Sequence, residues 1–246
     1  MNHEIIALAK QFRMSVLYDG KFSASDGLSN EEYLLALLRA EAKKREERSA
    51  AERFKQARFP TFKSFEDFDT DFQKGVTGKQ LQTLAKLEWL DALFNLILIG
   101  PPGTGKTHIA LAIGNKAAKE GYRVAFTSMD NLVHVLKTWE ISKKSACRLG
   151  WIKKCDLLII DELGYLPVSR TEANFFFSLI SELYEKASIV ITSNKGFDGW
   201  AELLGDAVLA TALLDRLTHR CQILNFTDDS YRLKNRKQIF DSKGAD

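Results

Sequence analysis

The sequence lacks the features of a membrane-spanning, secreted or disulfide-bonded protein. No apolar run reaches the ~18 residues that a transmembrane helix needs. The start of the chain, Met1 to Glu4, is polar and shows no secretory signal. The three cysteines are scattered and show no Cys-x-x-Cys spacing, so neither a disulfide framework nor a zinc site is expected. We therefore expect a cytoplasmic protein with reduced thiols and no membrane partner.

Features typical of nucleic-acid recognition are also scarce. The net charge of +3 is too small to indicate a nucleic-acid partner by itself. No zinc finger, RNA-recognition motif or base-reading helix is visible. The chain does contain 45% hydrophobic residues, which is enough for a substantial core. Its length suits one large domain, or one domain with a small appendage.

A phosphate-binding loop follows an apolar strand near the middle of the chain. The strand Leu96–Ile99 runs into the pattern Gly-x-x-x-x-Gly-Lys-Thr. Its glycines permit positive φ and let backbone N–H groups converge on phosphate oxygens. Lys106 can reach the β- and γ-phosphates, and the Thr107 hydroxyl can hold Mg²⁺. The pattern predicts a nucleoside triphosphate site with Mg²⁺. The predicted loop residues are Gly100, Pro101, Pro102, Gly103, Thr104, Gly105, Lys106 and Thr107.

Residues 1–59 are predicted to form an N-terminal helical domain. An amphipathic helix over 1–20 precedes a capping box, Ser29-x-x-Glu32, which starts a second helix that continues to Arg58. The charged part of this second helix has two interpretations. It is either a solvated helix face or an arm that contacts neighbouring subunits or nucleic-acid phosphates.

Residues 60–76 are predicted to form an aromatic and acidic linker. Pro60 disfavours a long helix here, and phenylalanines recur about every third residue with acidic residues between them. We expect the linker to dock its aromatic rings on the following domain, and ordinary core packing accounts for most of them.

Strands alternate with helices in the predicted ATPase domain, residues 77–246. Most of the strands are nearly continuous apolar runs, which is typical of a parallel sheet covered by helices on both faces. We therefore expect an α/β P-loop NTPase fold. The predicted strands cover 94–99, 122–127, 156–162, 188–194 and 221–226, and the predicted helices include 77–93, 170–187 and 206–219. Ligands of such sheets bind outside the carboxyl ends of the strands.

Polar residues follow several of these strands. Asp161 can hold Mg²⁺ together with Thr107, and Glu162 can orient or deprotonate an attacking water. An adjacent Asp-Glu pair favours hydrolysis over transfer to an acceptor hydroxyl. Asn194 can hydrogen-bond the water or the γ-phosphate, although an asparagine after a strand is a weak signal. Arg216 either neutralises transition-state charge or forms a surface salt bridge.

A basic cluster lies between residues 137 and 154, with Glu140 as its only acid. Such a stripe either binds a phosphate backbone without reading sequence or forms a solvated helix face. A basic tail from Arg232 is a weaker candidate. The cluster contains Lys137, Lys143, Lys144, Arg148, Lys153 and Lys154.

The chain resembles the IstB family over nearly its whole length. These are AAA+ ATPases encoded beside the transposase of certain bacterial insertion sequences, and they are similar to the DnaC helicase loaders. The stretch Asp161–Pro167 and the ending Ser230–Lys234 carry more of the resemblance than the P-loop does. Thr192-Ser193-Asn194 and Leu214-Asp215-Arg216-Leu217 match as well. Thr227-Asp228-Asp229 departs from the glycine-containing turn expected there, which puts the basic tail in doubt.

The resemblance implies an AAA+ module with a reduced C-terminal lid that uses ATP and Mg²⁺ in a bacterial cytoplasm. Asn194 would be sensor 1. Arg216 would be an arginine finger that completes the ATP site of a neighbouring subunit, so that ATP drives homo-oligomers into rings or spirals. A helical insertion over 131–153 would line a DNA channel, and the linker over 65–72 would lie near the adenine. The residues implied in DNA binding are Lys137, Lys143, Lys144 and Arg148.

The function implied is an ATP-dependent, sequence-nonspecific DNA-binding protein. It would assemble on double-stranded DNA, remodel it, and recruit and stimulate a cognate transposase. Three alternatives stay open: a DnaC-like helicase loader, a nucleotide-gated DNA scaffold in which hydrolysis is secondary, and a small-molecule P-loop kinase.

Overall fold

The computed structural model describes most of the chain as two compact units, Met1–Arg53 and Phe54–Asp246. The described residues are 3–19, 22–23, 27–73, 75–164, 168–227 and 230–234, without the side chains of Arg232 and Leu233. Three stretches singled out by the sequence lie outside them: Tyr165–Pro167, Asp228-Asp229 and the basic tail beyond Lys234. None of the described helices is both long enough and apolar enough to cross a membrane.

The first unit is helical. It contains α1 (His3–Gln11), α2 (Ser15–Tyr18) and most of α3 (Asn30–Ala57). The single helix expected over residues 1–20 is wrong, because the backbone at Arg13 turns into the left-handed region at φ 54° and separates α1 from α2. The long second helix is confirmed. Inside the unit, buried Glu41 on α3 accepts hydrogen bonds from the Val16 backbone N–H at 2.9 Å and from Arg45 Nε at 2.8 Å.

A five-stranded parallel sheet forms the centre of the second unit. All five strands predicted from apolar runs are present within one or two residues of the expected limits. They are β1 (Asn95–Ile99), β2 (Val124–Ser128), β3 (Leu157–Leu163), β4 (Ser188–Ser193) and β5 (Cys221–Asn225). The strand order is β2-β3-β4-β1-β5, and every neighbouring pair is parallel. The strand that carries the P-loop and the strand that carries the acidic pair are therefore separated by β4.

Helices cover both faces of this sheet. They are α4 (Gly78–Lys86), α5 (Glu88–Asp91), α6 (Lys106–Lys119), α7 (Met129–Thr138), α8 (Lys143–Ile152), α9 (Arg170–Leu183), α10 (Asp198–Leu204) and α11 (Ala207–Thr218). A last helix, α12 (Tyr231–Lys234), lies beside the loop that precedes α6, where the Tyr231 N–H donates to the Gly103 carbonyl at 3.1 Å. The helix expected over 77–93 is two helices, because Leu87 adopts a left-handed conformation at φ 62°. The helix expected over 170–187 ends at Leu183, because the backbone of Tyr184 leaves the helical region at ψ 128°.

Alternation along the strands divides the core into two layers. Successive side chains of a strand point to opposite faces of a sheet. Ile97 and Ile191 accordingly pack with α7, α8, α9, α10 and α11, whereas Leu96 and Val190 pack with α4, α5 and α6. β1, β2, β3 and β4 are almost entirely buried, as expected for strands covered on both faces, whereas the edge strand β5 is exposed at Gln222 and Asn225.

The segment after α3 lies against α6 in the second layer. Phe59, Phe65 and Phe68 pack on the apolar residues of that layer. Two backbone carbonyls of the segment accept hydrogen bonds from α6: Asn115 Nδ2 donates to Lys63 at 3.0 Å, and His108 Nε2 donates to Ser64 at 2.8 Å. Polar contacts on α6 therefore hold the segment beside the P-loop helix.

Gly114 on α6 provides the space that the Phe59 ring occupies. A Cβ at this position would lie 2.7 Å from Phe59 Cε1 and 2.7 Å from Ile159 Cδ1. We expect Gly114→Ala to lower the free energy of unfolding by roughly 1–3 kcal/mol, because overpacking outweighs the gain in helix propensity. Urea denaturation of the full chain measures this change.

Gly150 on α8 is the matched control, because a Cβ there would have no neighbouring atom within 4 Å. Gly150→Ala should leave stability unchanged or raise it by about 0.5–1 kcal/mol. A Gly114→Ala variant as stable as Gly150→Ala would contradict the packing described for Phe59.

Candidate functional site

The P-loop forms a cradle whose shape only glycine permits. Gly103 and Gly105 have φ of 82° and 96°, in the left-handed region. A Cβ on Gly103 would lie 2.1 Å from Ser230 Oγ, and one on Gly105 would lie 2.6 Å from the Phe68 ring. Gly105 is also the N-cap of α6, so the positive end of that helix is directed at the loop. This combination fits the phosphates of a nucleotide.

The two side chains that end the P-loop are held in fixed positions. Lys106 is buried, and its Nζ donates to the carbonyl oxygens of Gly100 and Pro101, each at 2.7 Å. Thr107 Oγ1 donates to Asp161 Oδ1 at 2.9 Å. The structure therefore brings the predicted loop threonine and the predicted strand-end aspartate into direct contact.

Strand β4 joins the P-loop to the acidic end of β3. Backbone N–H of Gly100 donates to the Ser193 carbonyl at 3.1 Å, which places Asn194 beside the loop. Oδ1 of Asn194 is buried and has no hydrogen-bond partner among the described residues. A buried acceptor without a donor costs about 1–3 kcal/mol, so such a position suits a ligand or water that donates to it.

A β-bulge separates the environments of Asp161 and Glu162. Ile160 pairs with Ile191 and Leu163 pairs with Ser193, so β3 has one extra residue between these pairs. Glu162 lies in this bulge at φ 64°, in the left-handed region. Its side chain is exposed, whereas Asp161 is only 7% exposed. Two consecutive carboxylates thereby acquire different surroundings.

Thr192 on β4 fixes this bulge, and sequence reasoning assigned it no role. Its hydroxyl donates to Asp161 Oδ1 at 2.5 Å and accepts the Glu162 backbone N–H at 3.0 Å. One side chain therefore holds the metal-binding candidate and the backbone of the catalytic candidate together. The available signals were the family match over Thr192-Ser193-Asn194 and the position of a polar residue directly before the last residue of an apolar strand.

A cavity of about 320 Å³ extends from the P-loop to the segment after α3. Phe68 and Tyr231 line it with Lys63, His108 and the loop residues, so the aromatic segment does contribute to the site. The volume is within the usual range for small-molecule sites. Thr107 and Asp161 supply the hard oxygen ligands that Mg²⁺ prefers. The donor set and the cradle both fit a magnesium nucleotide.

Arg216 does not belong to this chain's own site. Its Nη1 donates to the Ala212 carbonyl at 3.0 Å, and its Cζ lies 4.6 Å from the centre of the Phe177 ring. The next residue, Leu217, accepts a hydrogen bond from Asn95 Nδ2 at 2.9 Å, at the amino end of β1. The five residues of β1 span about 16 Å at ~3.3 Å each, so Arg216 and the P-loop lie at opposite edges of the sheet.

The four residues predicted to bind DNA have different environments. Lys143 and Lys144 are exposed in the first turn of α8. Lys137 Nζ donates to Glu172 Oε1 at 2.9 Å. Arg148 is 4% exposed, and its guanidinium donates to two backbone carbonyls, so its prediction as a surface contact does not fit its position. The helical pattern placed Arg148 among exposed lysines, but packing against β2 buried it.

Phe68 is the aromatic residue of the linker that faces the nucleotide cavity. We expect Phe68→Ala to weaken binding of a non-hydrolysable ATP analogue by about 5- to 150-fold, corresponding to the ~1–3 kcal/mol typical of base stacking on an aromatic ring. Isothermal titration calorimetry measures the affinity. Phe62→Ala is the matched control, because Phe62 is 58% exposed in the same segment. Equal losses in the two variants would contradict a role for Phe68 in the cavity.

Sequence comparison gives relatives that span most of this chain. Residues 14–239 match the family described as IstB-like ATP binding protein. The "Insertion sequence IS21 putative ATP-binding protein" of Pseudomonas aeruginosa is 44% identical over 88% of this chain and 82% of its own length. The "Insertion sequence IS5376 putative ATP-binding protein" of Geobacillus stearothermophilus is 37% identical over 88% of this chain and 86% of its own length.

The solved structures that are similar to this chain include proteins of DNA replication. AMPPCP-bound DnaA from Aquifex aeolicus matches with a TM-score of 0.55 and 26% identity over 72% of this chain, which spans 53% of that chain. DnaI matches with a TM-score of 0.56 and 22% identity over 70% of this chain and 93% of its own. The DnaC helicase loader matches with a TM-score of 0.51 and 21% identity over 60% of this chain and 86% of its own. DnaI and the DnaC helicase loader show that their fold is shared with this chain. The chain thus has the α/β P-loop fold of AAA+ proteins, shares that fold with the DnaC loader, and belongs to the IstB-like family of ATP-binding proteins.

Proposed function

We propose that this protein is an ATP-hydrolysing AAA+ protein that oligomerises on double-stranded DNA and remodels it without reading its sequence. It recruits and stimulates a cognate transposase during insertion-sequence transposition. Its site of action is the bacterial cytoplasm. The proposal rests on the family, on the site geometry and on the distribution of charge in the second unit.

The observation that carries the proposal is the position of Arg216. It lies at the amino edge of the sheet, whereas the P-loop and Glu162 lie at the carboxyl edge. An arginine that stabilises the transition state must reach the γ-phosphate. Arg216 can therefore serve only the site of another copy, and head-to-tail contacts of this kind generate rings or helical filaments. ATP then links neighbouring subunits.

In the proposed hydrolysis, the two carboxylates at the bulge, Asp161 and Glu162, have separate roles. Asp161 and Thr107 would hold Mg²⁺, which would neutralise charge on the phosphates. Glu162 is exposed and follows the buried Asp161 directly, and its carboxylate would orient or deprotonate the attacking water. The buried Oδ1 of Asn194, which has no hydrogen-bond partner among the described residues, would accept a hydrogen bond from the attacking water. Lys106 would bind the β- and γ-phosphates. Thr192 keeps the two carboxylates apart by fixing the bulge.

Basic residues of α7 and α8 support the proposed DNA contact. Lys143 and Lys144 are exposed, and salt-sensitive contacts to phosphates need no base recognition. A DnaA structure 26% identical to this chain, with a TM-score of 0.53, contains AMPPCP and single-stranded DNA. Bending DNA costs several kcal/mol, which contacts from several subunits can offset. The names of the sequence relatives refer to insertion sequences, which supports a transposase as partner.

Mixing two inactive variants tests the shared site. Arg216→Ala and Glu162→Gln should each lower the ATPase rate on duplex DNA by about 10³-fold or more, because each lacks one part of every site. In an equimolar mixture, the first variant supplies Glu162 and the second supplies Arg216. We expect the mixture to recover about a quarter of the wild-type rate if subunits combine at random in head-to-tail interfaces. Phosphate release measures the rates.

Arg220→Ala is the control for the mixture, because Arg220 lies near Arg216 at the amino edge of the sheet. This variant should retain the wild-type ATPase activity. A mixture that stays inactive, although both variants form oligomers, would rule out a site shared in this way. A Glu162→Gln variant that still remodels and releases DNA normally would favour the nucleotide-gated scaffold.

The ion pair of Lys137 and Glu172 offers a test of the DNA surface. The hydrogen bond from Lys137, together with hydrogen bonds from Ser169, which forms a capping box with Glu172 at the start of α9, lowers the pKa of Glu172 to about 2. Because the pKa of Glu172 is depressed in the folded chain, the ion pair stabilises the fold at pH values above 4.5, the ordinary pKa of a glutamate. This stabilisation is lost as the pH falls toward 2. At neutral pH the carboxylate therefore neutralises Lys137.

Glu172→Gln should increase the affinity for duplex DNA by about 1.4- to 5-fold, because it releases Lys137 from an ion pair worth ~0.2–1 kcal/mol. Glutamine preserves the capping box. Fluorescence anisotropy with labelled duplex DNA measures the affinity. Glu182→Gln is the matched control. Glu182 lies on α9 like Glu172, and its substitution breaks the ion pair between Glu182 and Lys153. It should change the DNA affinity less than Glu172→Gln does. Equal effects of the two substitutions would contradict a DNA contact by Lys137.

A further inference from the structure

A second cavity, of about 280 Å³, lies between α7 and α8 in the second unit. Four basic side chains line it, and no aspartate or glutamate is among its lining residues. Four of the other lining residues carry hydroxyl or amide groups. We call it the basic cavity, defined by Arg58, His134, Lys144 and Arg148. None of its positive charges is neutralised by a carboxylate of the cavity wall.

Arg148 forms the buried wall of the basic cavity. Its Nη1 donates to the Gln56 carbonyl at 2.6 Å, and its Nη2 donates to the Phe126 carbonyl at 2.7 Å. It forms no ion pair with a carboxylate among the described residues. Burial, with the nearby charge of Arg58, lowers the pKa of Arg148 to about 10. A buried cation without an opposite charge is costly, and two carbonyl dipoles offset only part of that cost.

Exposed basic side chains surround the opening of the basic cavity. The side chains of Arg58, His134 and Lys144 form no hydrogen bond or ion pair within the described part of the chain, and all three residues are exposed. The first turn of the ten-residue helix α8 also lines the cavity, and the N-terminus of a helix favours negative charge. Three donors therefore converge on one space without internal partners.

We propose that the basic cavity binds one phosphate group, and that a backbone phosphate of nucleic acid supplies it. Guanidinium and ammonium groups bind phosphate oxygens through short, charge-assisted hydrogen bonds. The cavity exceeds the ~30 Å³ share of one water several-fold, so it has room for a group with several oxygens. The nucleic-acid source rests on the proposed function, whereas the phosphate site itself does not. The proposal gives Arg58 and His134 roles in binding.

Phosphate titration of the full chain tests the site directly. A saturating non-hydrolysable ATP analogue is present throughout, so that the P-loop does not take up the added phosphate. The ring signal of His134, one of four histidines, is identified by NMR through comparison with His134→Gln. Inorganic phosphate should shift this signal to saturation. Arg58→Ala should weaken the response about tenfold or more, because it removes a charge-assisted hydrogen bond. Absence of a saturable shift in the wild-type chain would overturn the site.

Duplex DNA binding at several salt concentrations tests the source of the phosphate. Arg58→Ala should reduce the slope of log affinity against log salt by about one, as expected for one lost phosphate contact. Lys119→Ala is the matched control, because Lys119 is exposed on α6 away from the cavity and should leave the slope unchanged.

The two measurements separate the proposals. If Arg58→Ala abolishes the phosphate response but leaves the salt slope unchanged, the cavity binds free phosphate and the nucleic-acid source is overturned. If the wild-type chain does not bind duplex DNA at all, the proposed function fails, and a saturable shift of His134 would still support the phosphate site.

Discussion

The position of β4 between β1 and β3 is the constraint on which the candidate site depends. The end of β4 accepts the Gly100 N–H on one side, and Thr192 bonds both Asp161 and Glu162 on the other. Three chain segments that are far apart in sequence thereby meet at one edge of the sheet. A parallel sheet places the carboxyl ends of its strands together, so the polar residues that follow the strands converge without distorting the core.

The same site illustrates how local strain can serve chemistry. Glu162 adopts a left-handed backbone conformation that non-glycine residues seldom use. Thr192 stabilises this conformation by accepting the Glu162 N–H, and the extra residue of the bulge turns Glu162 outward while Asp161 stays buried. A regular strand would also direct consecutive side chains to opposite faces, but it would not let one hydroxyl bond both the Asp161 carboxylate and the Glu162 backbone N–H.

The second unit also contains positive charge that its own fold does not neutralise. Lys137 has Glu172 as partner, whereas Arg148 is buried with carbonyls alone and Arg58 lies near it at the basic cavity. Burial of a guanidinium beside a second cation opposes folding unless an anion compensates it. This distribution connects the fold to the proposed nucleic-acid partner more specifically than the net charge of +3 does.

The sequence by itself determined the strands, the P-loop and the acidic pair, because apolar runs and glycine spacing are local properties of the chain. It could not determine the strand order, the bulge at Glu162 or the role of Thr192, since these depend on which strands become neighbours. It also placed Arg148 among exposed lysines, and only packing showed that its side chain is buried. Local pattern thus specified the chemical groups, whereas tertiary contacts decided which of them meet and which way they face.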